Sequence, residues 1–298
     1  MPLLTIFTPT YNRAYLLERI YNSLSRQTNY DFEWLVIDDG SKDNTEQLIQ
    51  KFKNNNNPFI IRYYKQENLG LIRSFNKGIA LASGDFLCKI DSDDFIVDNF
   101  MNIVQVWINE IKNHPSIYAV GGLRITPDGL PIKKVWPPIA NYIDASDLER
   151  QHYDLDADMT ECWNLQVLRK YPFPVWNGEK FAPEQIVFHK IALDGFKIRW
   201  RAIPLTICEY QKDGLTLGSN KLERDNPMGY AMMYNQMLCR KDLGLLQKFH
   251  VAMNHIALSI VGRNPLYIFK SNAISYSLIT LIPGIFLSIR RFIQYKKL

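Results

Sequence analysis

The first hundred residues alternate between short apolar runs and segments in which apolar residues recur every three or four positions. Four apolar runs have the length of buried strands: residues 3–8, 32–37, 60–64 and 86–90. The segments between them have a helical period, as in Ile72, Phe75, Ile79 and Ala82. Residues 43–46, Asp-Asn-Thr-Glu, resemble a capping box, so we expect the second helix to open there. The alternation predicts βαβ units and an α/β fold with a mixed, mostly parallel sheet flanked by helices.

Polar side chains follow three of these predicted strands, at the points where the strands end. The three loops are residues 9–13, 38–41 and 91–94. In an open parallel sheet the carboxyl ends of the strands share one edge, where such folds bind their ligands. We therefore predict a single ligand site built from these loops.

The loop at 91–94 holds three carboxylates, Asp91, Asp93 and Asp94, directly after an apolar run. Carboxylates crowded at a strand end repel one another and need a counter-charge. Mg²⁺ and Mn²⁺ are usually held by one or two carboxylates, with phosphate and water oxygens completing the shell. The loop therefore favours a metal-assisted nucleotide site. The alternative is an acidic turn that caps a helix before residues 95–97.

Length and composition narrow the class of protein. The chain has 298 residues, of which 47% are hydrophobic, and can fold as one large or two smaller domains. The net charge of +5 is modest, and the basic residues are spread along the chain except in the last ten positions. The sequence therefore gives no sign of a nucleic-acid-binding surface. The four cysteines form no C-x-x-C pair, which argues against a zinc site and fits a reducing compartment. Residues 3–7 are too short for a signal peptide, so we expect the catalytic part in the cytoplasm.

Single residues in the loops each allow two interpretations. The first loop offers a nucleobase hydroxyls, an aromatic face and an amide, or forms a strand-to-helix turn with Asn12 as N-cap; its side chains are Thr8, Thr10, Tyr11 and Asn12. Asp39 can accept a hydrogen bond from a base or ribose, or belong to an ordinary Asp-Asp-Gly-Ser turn. Arg73 can reach a base or a phosphate, or remain a solvated helix arginine.

The order of these blocks is more specific than any block alone. The blocks are Thr-Pro-Thr-Tyr-Asn-Arg at 8–13, Val-Ile-Asp-Asp-Gly-Ser at 36–41, Asn-Leu-Gly at 68–70, Asn-Lys-Gly at 76–78, Ala-Ser-Gly-Asp at 82–85 and Ile-Asp-Ser-Asp-Asp at 90–94. In this order they resemble family 2 glycosyltransferases of the GT-A fold, a Rossmann-like architecture. The resemblance is close over residues 1–115 and looser to about residue 217.

The resemblance implies roles at the donor site. In such enzymes the matching Thr, Tyr and second Asp hold the nucleotide base, which assigns Thr8, Tyr11 and Asp39 to it. The arginine after the Asn-x-Gly block often helps, which nominates Arg73.

It also implies a metal-assisted displacement. Asp94 would bind an Mn²⁺ or Mg²⁺ ion that bridges the donor diphosphate, and Asp93 would face the ribose or the metal shell. Asp91 completes the D-x-D pattern, as a further metal ligand or as a structural residue. A bound cation stabilises the charge that develops on the leaving phosphate.

An acceptor hydroxyl must lose its proton as it attacks, which requires a carboxylate base. The segment 182–191 resembles the family's acidic motif at a helix start, where most members carry Glu-Asp. This chain has Glu184 followed by Gln185, and a glutamine cannot take a proton. We therefore expect Glu184 to be the base, with Glu179 in reserve. The alternative is that Glu184 only caps the helix.

The chain changes character near residue 218. We expect a GT-A domain at 1–217, with a nucleotide-binding half at 1–115 and an acceptor-binding half at 116–217, and a helical region at 218–298. Residues 271–289 carry no charge and precede Arg290, Arg291, Lys296 and Lys297. That length is borderline for a span, and polar groups with Pro283-Gly284 argue against one. We expect an interfacial helical hairpin on anionic lipid, or else an amphipathic helix packed on the catalytic domain or a second subunit.

Together with the C-terminal region, the resemblance implies an inverting transferase that moves a sugar from a nucleoside-diphosphate donor to a glycan or polyprenyl-linked acceptor. It implies a role in surface polysaccharide synthesis, on the inner face of the cell membrane. UDP is expected because the resembled family uses it most. The resemblance also implies a loop that closes over the donor phosphates at Tyr210 and residues 213–216. Three tryptophans line an acceptor groove or lie in the core: Trp136, Trp163 and Trp176. Two rivals remain: a catalytically silent nucleotide-sugar binding module, suggested by Gln185, and a sugar nucleotidyltransferase, disfavoured because residues 8–13 lack glycine.

Overall fold

The computed structural model describes residues 1–132, 141–155, 158–209 and 219–296. The chain divides into two units, Met1–Pro172 with Asp194–Gln211, and Phe173–Leu193 with Lys212–Leu298. In the described residues the first unit holds all the strands and the second is helical. The boundary predicted between residues 217 and 218 lies outside the described residues and stays a prediction.

Within the described ranges, the first unit is built on a mixed sheet of nine strands. Its strands are β1 (Leu4–Thr10), β2 (Phe32–Asp38), β3 (Ile60–Lys65), β4 (Phe86–Lys89), β5 (Phe95–Ile96), β6 (Ile117–Ile125), β7 (Ile143–Ala145), β8 (Met159–Asn164) and β9 (Lys197–Ile207). The order is β3-β2-β1-β4-β8-β6-β9-β5, with β7 paired to β9. The strands β1 to β4 are mutually parallel, as are β6 and β9, whereas β8 runs antiparallel to β4 and β6. The predicted α/β class with a mixed, mostly parallel sheet is confirmed.

Helices cover both faces of the parallel strands. They are α1 (Ala14–Ser25), α2 (Thr45–Lys53), α3 (Leu71–Leu81), α4 (Phe100–Ile111) and α5 (Leu165–Leu168). Successive side chains of a strand point to opposite faces. Accordingly Ile6 joins the core cluster that contains Leu17 of α1, whereas Phe7 stacks on Phe75 of α3 with ring centroids 5.5 Å apart. The predicted apolar stripes are therefore the faces that these helices bury.

The expected capping box at 43–46 is wrong in detail. The helix α2 begins at Thr45, but its N-cap residue Asn44 makes no side-chain cap bond. Asp43 takes over instead, because its carboxylate accepts from the backbone N–H of Thr45 (3.1 Å) and from that of Ala14 at the start of α1 (3.0 Å). One carboxylate thus serves the N-termini of two helices.

The second unit is helical, as predicted for the C-terminal region. Its helices are α6 (Gln185–Leu193), α7 (Ser219–Asp225), α8 (Pro227–Met237), α9 (Leu245–Val261), α10 (Ile274–Ile279) and α11 (Leu281–Tyr295), with a 3₁₀ turn at Pro265–Lys270. A buried cluster of Met228, Ala231 and Leu258 joins α8 to α9. None of the helices in the described part of the chain is long and apolar enough to cross a membrane.

Candidate active site

The loops that follow β1 to β4 are hydrogen-bonded to one another at the carboxyl ends of the strands. We call residues 10–13, 38–42, 66–70 and 90–94 the carboxyl edge. The backbone N–H of Asp39 donates to the carbonyl of Thr10 (2.9 Å), and that of Gln66 donates to Asp38 (2.9 Å). The N–H of Asn12 donates to the hydroxyl of Ser41 (2.8 Å). The guanidinium of Arg13 donates to Asp93 in the 90–94 loop (2.7 Å). The three loops predicted from the sequence therefore meet, and the 66–70 loop joins them.

Asp39 is buried and organises the 66–70 loop. Its Oδ1 accepts from the N–H of Leu69 (2.9 Å) and its Oδ2 from that of Gly70 (2.8 Å). The side chain of Gln66 adds a third bond (2.8 Å). Arg73 donates to the carbonyl of Leu69 (2.9 Å), so the structure brings two predicted site residues to one loop. A carboxylate has about four acceptor sites, which leaves Asp39 capacity for a ligand donor.

Gly40 allows the second and third loops to approach each other. Its φ of +86° lies in the left-handed region, and a Cβ there would come within 2.9 Å of the backbone nitrogen of Asn68. A side chain at this position would therefore clash with the loop that Asp39 holds.

The polar residues of the first loop differ in burial and in hydrogen-bond partners. Thr8 is fully buried, and its hydroxyl accepts from the indole N–H of Trp34 (3.0 Å), which is a packing contact. Tyr11 exposes 44% of its surface at the carboxyl edge. The alternative of Asn12 as N-cap is wrong: Asn12 has a φ of +52°, and its Oδ1 accepts from the N–H of Lys42 (2.8 Å).

Thr10 belongs to the side chains of the first loop that the sequence predicts for a nucleobase. Its hydroxyl is buried and has no hydrogen-bond partner among the described residues. A buried polar atom left unsatisfied at a ligand edge costs free energy that a ligand contact can recover. Its contact with a nucleobase stays a prediction.

Each carboxylate of the acid cluster faces a basic side chain. The pairs are Asp91 with Lys89 (3.5 Å) and with Arg124 (3.8 Å), Asp93 with Arg13 (2.7 Å), and Asp94 with Arg124 (3.3 Å). The sequence predicted a divalent cation as the counter-charge at this point. The structure supplies three side-chain cations, which the sequence reasoning had not assigned.

Arg124 is held where it faces two carboxylates. It lies near the end of β6, and its Nε donates to the carbonyl of Met159 on β8 (3.2 Å). No local motif marks it, because its partners are about 30 residues away in sequence and reach it through sheet pairing. Arg13 by contrast lies inside the first sequence block, and Lys89 lies two residues before Asp91.

Burial and neighbouring charges give different pKa values to Asp91 and Asp94, the two carboxylates that face Arg124. Burial raises the pKa of Asp94 to about 7, against the attraction of Arg124 and with the repulsion of Asp91 and Asp93. Burial also acts to raise the pKa of Asp91, but Lys89 and Arg124 outweigh it and lower that pKa. Near neutral pH Asp91 is therefore ionised, whereas Asp94 can exchange a proton.

The carboxylates of the acid cluster are ligands of the kind that a hard divalent cation prefers. In the part of the chain that the structure describes, no group of three or more His, Cys, Asp or Glu residues converges as a metal site. Asp93 and Asp94 nevertheless offer hard oxygen ligands, and one or two carboxylates suffice when phosphate and water oxygens complete the shell. The ligand set of Asp91, Asp93 and Asp94 stays a prediction.

The two candidate bases lie in the second unit. Glu184 is half-buried directly before α6, where its carbonyl accepts from the N–H of Val187 (3.0 Å), and Gln185 is exposed. Its role as base stays a prediction. Glu179 is buried, and its two oxygens accept from the N–H groups of Met228 and Gly229 (both 2.7 Å) at the start of α8. These bonds support a structural role for Glu179.

The tryptophans divide between the core and the undescribed residues. Trp163 is buried against Phe75, with ring centroids 5.9 Å apart, which is the core alternative. Trp176 packs edge-on against Tyr267 at 5.2 Å within the second unit. Trp136, Tyr210 and residues 213–216 lie outside the described residues.

Comparison with known proteins adds a family and a fold. The sequence model of the family described as Glycosyl transferase family 2 matches residues 5–161. The chain is 36% identical over 109 residues to the abequosyltransferase RfbV of Salmonella typhimurium, covering 36% of this chain and 33% of RfbV. It is 32% identical over 117 residues to the GalNAc(5)-diNAcBac-PP-undecaprenol beta-1,3-glucosyltransferase of Campylobacter jejuni, covering 38% of this chain and 37% of that relative. These matches thus span about a third of each relative.

A solved structure matches nearly the whole chain. Residues 1-349 of TarS from S. aureus, in complex with UDP-GlcNAc, superimpose with a TM-score of 0.64 at 19% identity, covering 97% of this chain and 82% of that one. At this identity the likeness shows a shared fold, and the GT-A class expected from the sequence is confirmed.

Proposed function

Because the chain belongs to glycosyl transferase family 2, we propose that it moves a sugar from a nucleoside-diphosphate donor to a hydroxyl group of an acceptor. The observation that carries this proposal is the carboxyl edge, where four hydrogen-bonded loops place Asp39, Arg73 and the acid cluster at the ends of parallel strands. Such edges are where open α/β sheets bind ligands. We propose a glycan or lipid-linked acceptor in surface polysaccharide synthesis, and the GalNAc(5)-diNAcBac-PP-undecaprenol in the name of the Campylobacter relative supports an acceptor of this kind.

The donor nucleotide is proposed to bind across the first three loops. Tyr11 offers an exposed aromatic face for the base, and Asp39 offers an acceptor site to a base or ribose donor. Arg73 supplies a positive charge beside the loop that Asp39 holds. Thr8 belongs to the predicted base-binding set, and its bond to Trp34 supports a role in holding the first loop in place. UDP is the proposed nucleotide, supported by the UDP-GlcNAc complex of TarS.

The donor diphosphate is proposed to lie at the acid cluster. Asp94 and Asp93, with Asp91 as the third predicted carboxylate, would hold an Mn²⁺ or Mg²⁺ ion. When bound, such a cation supplies Lewis-acid stabilisation of the departing diphosphate. Arg13 and Arg124 lie within hydrogen-bond distance of these carboxylates and add positive charge where the leaving group becomes negative.

The acceptor hydroxyl needs a base as it attacks the anomeric carbon. We assign this role to Glu184, which would take the proton in a single inverting displacement. Gln185 cannot substitute for it, because an amide does not accept a proton at neutral pH.

The place of the reaction is proposed to be the inner face of the cell membrane, with the protein peripheral to it. The helical second unit would contact the lipid surface, and a polyprenyl-linked acceptor would be reached there. The name of the Campylobacter relative, which includes PP-undecaprenol, supports an acceptor of this class.

A catalytically silent nucleotide-sugar binding module is the second candidate. It is favoured by Gln185 and by the acid cluster, whose carboxylates are each already paired with a cation of the protein. Such a module would bind the donor without turning it over.

Replacing Glu184 by Gln separates the two candidates. For an enzyme, turnover of the donor should fall at least 100-fold while donor affinity stays within a factor of about two, since a base acts on the acceptor proton and not on the donor. The neighbouring exposed residue provides a control, as Gln185→Ala should retain turnover. Full turnover in Glu184→Gln would reject Glu184 as base. Donor binding without any turnover in the wild type would favour the silent module.

A further inference from the structure

The outward face of α11 carries a stripe of exposed apolar side chains. We call it the α11 stripe, and its members are Ile282, Ile285, Phe286, Ile289, Phe292 and Ile293. They are 41–68% exposed and recur at intervals of three and four, which places them along one side of a helix. With about 150–250 Å² for a large side chain, the stripe exposes roughly 600 Å², at the upper end for the largest apolar patch of a soluble monomer.

The opposite face of α11 is fixed to the rest of the second unit. Gly284 lies against α9, where an added Cβ would come within 2.7 Å of Ile256. Arg291 is within 3.2 Å of Glu223 and donates to Asn254 at 2.8 Å. Tyr295 is buried and donates to Glu223. Since this inner face sets the rotation of the helix, the stripe points away from α9 and is not an incompletely packed core face.

The charge of the same region has one sign. Residues 243–298 contain seven Lys or Arg residues and no Asp or Glu. The rest of the chain accordingly carries 28 basic and 30 acidic residues, a net charge of −2. Within α11, Arg290 is exposed beside the stripe, and Lys296 is exposed just beyond its end. A face that is apolar at its centre and basic around it is the pattern of a helix lying in the interface of an anionic bilayer.

We propose that the α11 stripe binds an anionic lipid surface, with α11 lying in the plane of that surface and the basic residues of the region on lipid headgroups. This inference deepens the membrane part of the proposed function and rests on it for the acceptor. A second copy of the chain is a poorer occupant, because an isologous contact would bring two basic regions together with no acidic residue between 243 and 298 to pair with them. Anionic headgroups supply the missing charge.

Vesicle sedimentation of the full chain tests the proposal. The wild type should partition onto vesicles of phosphatidylglycerol with phosphatidylcholine, should bind phosphatidylcholine alone far more weakly, and should lose binding at high salt. The double variant Phe286→Gln/Ile289→Gln should bind at least tenfold more weakly, because two large apolar side chains no longer enter the interface. Replacing Arg290 and Lys296 by Gln should weaken binding roughly fivefold per charge on the anionic vesicles.

A matched control is available on the other unit. Val106 of α4 is also exposed, and Val106→Gln removes an apolar side chain outside the α11 stripe, so its partition should equal that of the wild type. Circular dichroism of each variant verifies that the helices remain folded. Hydrolysis of a soluble donor should be unchanged in the stripe variants, which separates failure of the docking surface from failure of the proposed chemistry.

Two results would overturn the proposal. One is a wild type that stays in solution with anionic vesicles at low salt. The other is a wild type that sediments as a dimer, with the double variant monomeric and vesicle binding equal for both proteins, which would assign the stripe to self-association.

Discussion

Removing the guanidinium of Arg124 should destabilise the first unit at alkaline pH and much less at acidic pH. Arg124 is 18% exposed in its side chain and lies 3.3 Å from Asp94, which is 9% exposed. Breaking a buried ion pair by removing one partner costs about 3–5 kcal/mol, because the remaining charge is left unpaired. Arg124 keeps some exposure and Asp91 keeps Lys89, so we expect Arg124→Met to cost about 2–3 kcal/mol near pH 8.

The pH dependence follows from the pKa of Asp94. Its value of about 7 in the folded protein lies above the ordinary 3.8, so between these values the folded state holds a proton that the unfolded state releases. The Asp94 contribution to the free energy of unfolding therefore increases as pH falls from about 7 towards 4. Without Arg124 the pKa of Asp94 rises further, and protonation removes the unpaired charge. The deficit of the variant should accordingly shrink at about pH 5.5.

Urea unfolding followed by tryptophan fluorescence, on both proteins at both pH values, measures this difference. Titrations common to the two proteins cancel when the variant is compared with the wild type. Arg26→Met is the control, since Arg26 and its partner Asp98 are 52% and 71% exposed and such pairs contribute at most about 1 kcal/mol. Equal stability of Arg124→Met and the wild type near pH 8, or the same deficit at both pH values, would refute the reasoning.

Three further predictions concern other buried polar groups. Asp39→Asn removes one of the two oxygens that accept from the N–H groups of Leu69 and Gly70. The affinity for UDP, measured by calorimetry, should therefore fall at least tenfold. Unchanged affinity would show that Asp39 is not part of the donor site. Glu33 is buried and accepts hydrogen bonds from Thr5, Ser83 and Arg62. Glu33→Ala should therefore lower the free energy of unfolding by about 3–5 kcal/mol in urea melts, and a loss below about 1 kcal/mol would contradict this. Burial lowers the pKa of His255 to about 4 from 6.5, so the unfolded state takes up this proton first and the free energy of unfolding should fall as pH drops from 6.5 to 4. His255→Leu should flatten that fall in thermal melts, and identical slopes for the two proteins would refute the prediction.

The parallel half of the fold could be predicted because its signals are local. The apolar runs at 3–8 and 32–37 overlap β1 and β2, and the stripe containing Ile72 and Phe75 marks α3. The antiparallel strands β5, β7 and β8 were not predicted. They are short, or their pairing joins segments far apart in sequence, as when Cys88 of β4 pairs with Cys162 of β8.

The candidate site shows the same division between local and long-range information. The acid cluster and the Asp39 loop were visible as sequence blocks, and the structure brings those loops together. Arg124 was invisible, because only the pairing of β6 with β8 carries it to Asp91 and Asp94. Asn12 and the residues at 43–46 were misjudged for a related reason, since Asn12 bonds to Lys42 and Asp43 bonds to Ala14 across the chain.

The most direct test of the account is release of nucleoside diphosphate from a panel of nucleotide sugars with Mn²⁺ or Mg²⁺, comparing the wild type with Asp94→Asn. Asp98→Asn is the matched control, because the side chain of Asp98 is 71% exposed and its pair with Arg26 is exposed as well. The account predicts slow, metal-dependent release from one donor, retained in Asp98→Asn and lost in Asp94→Asn. A folded wild type that neither binds nor cleaves any donor of the panel would contradict it.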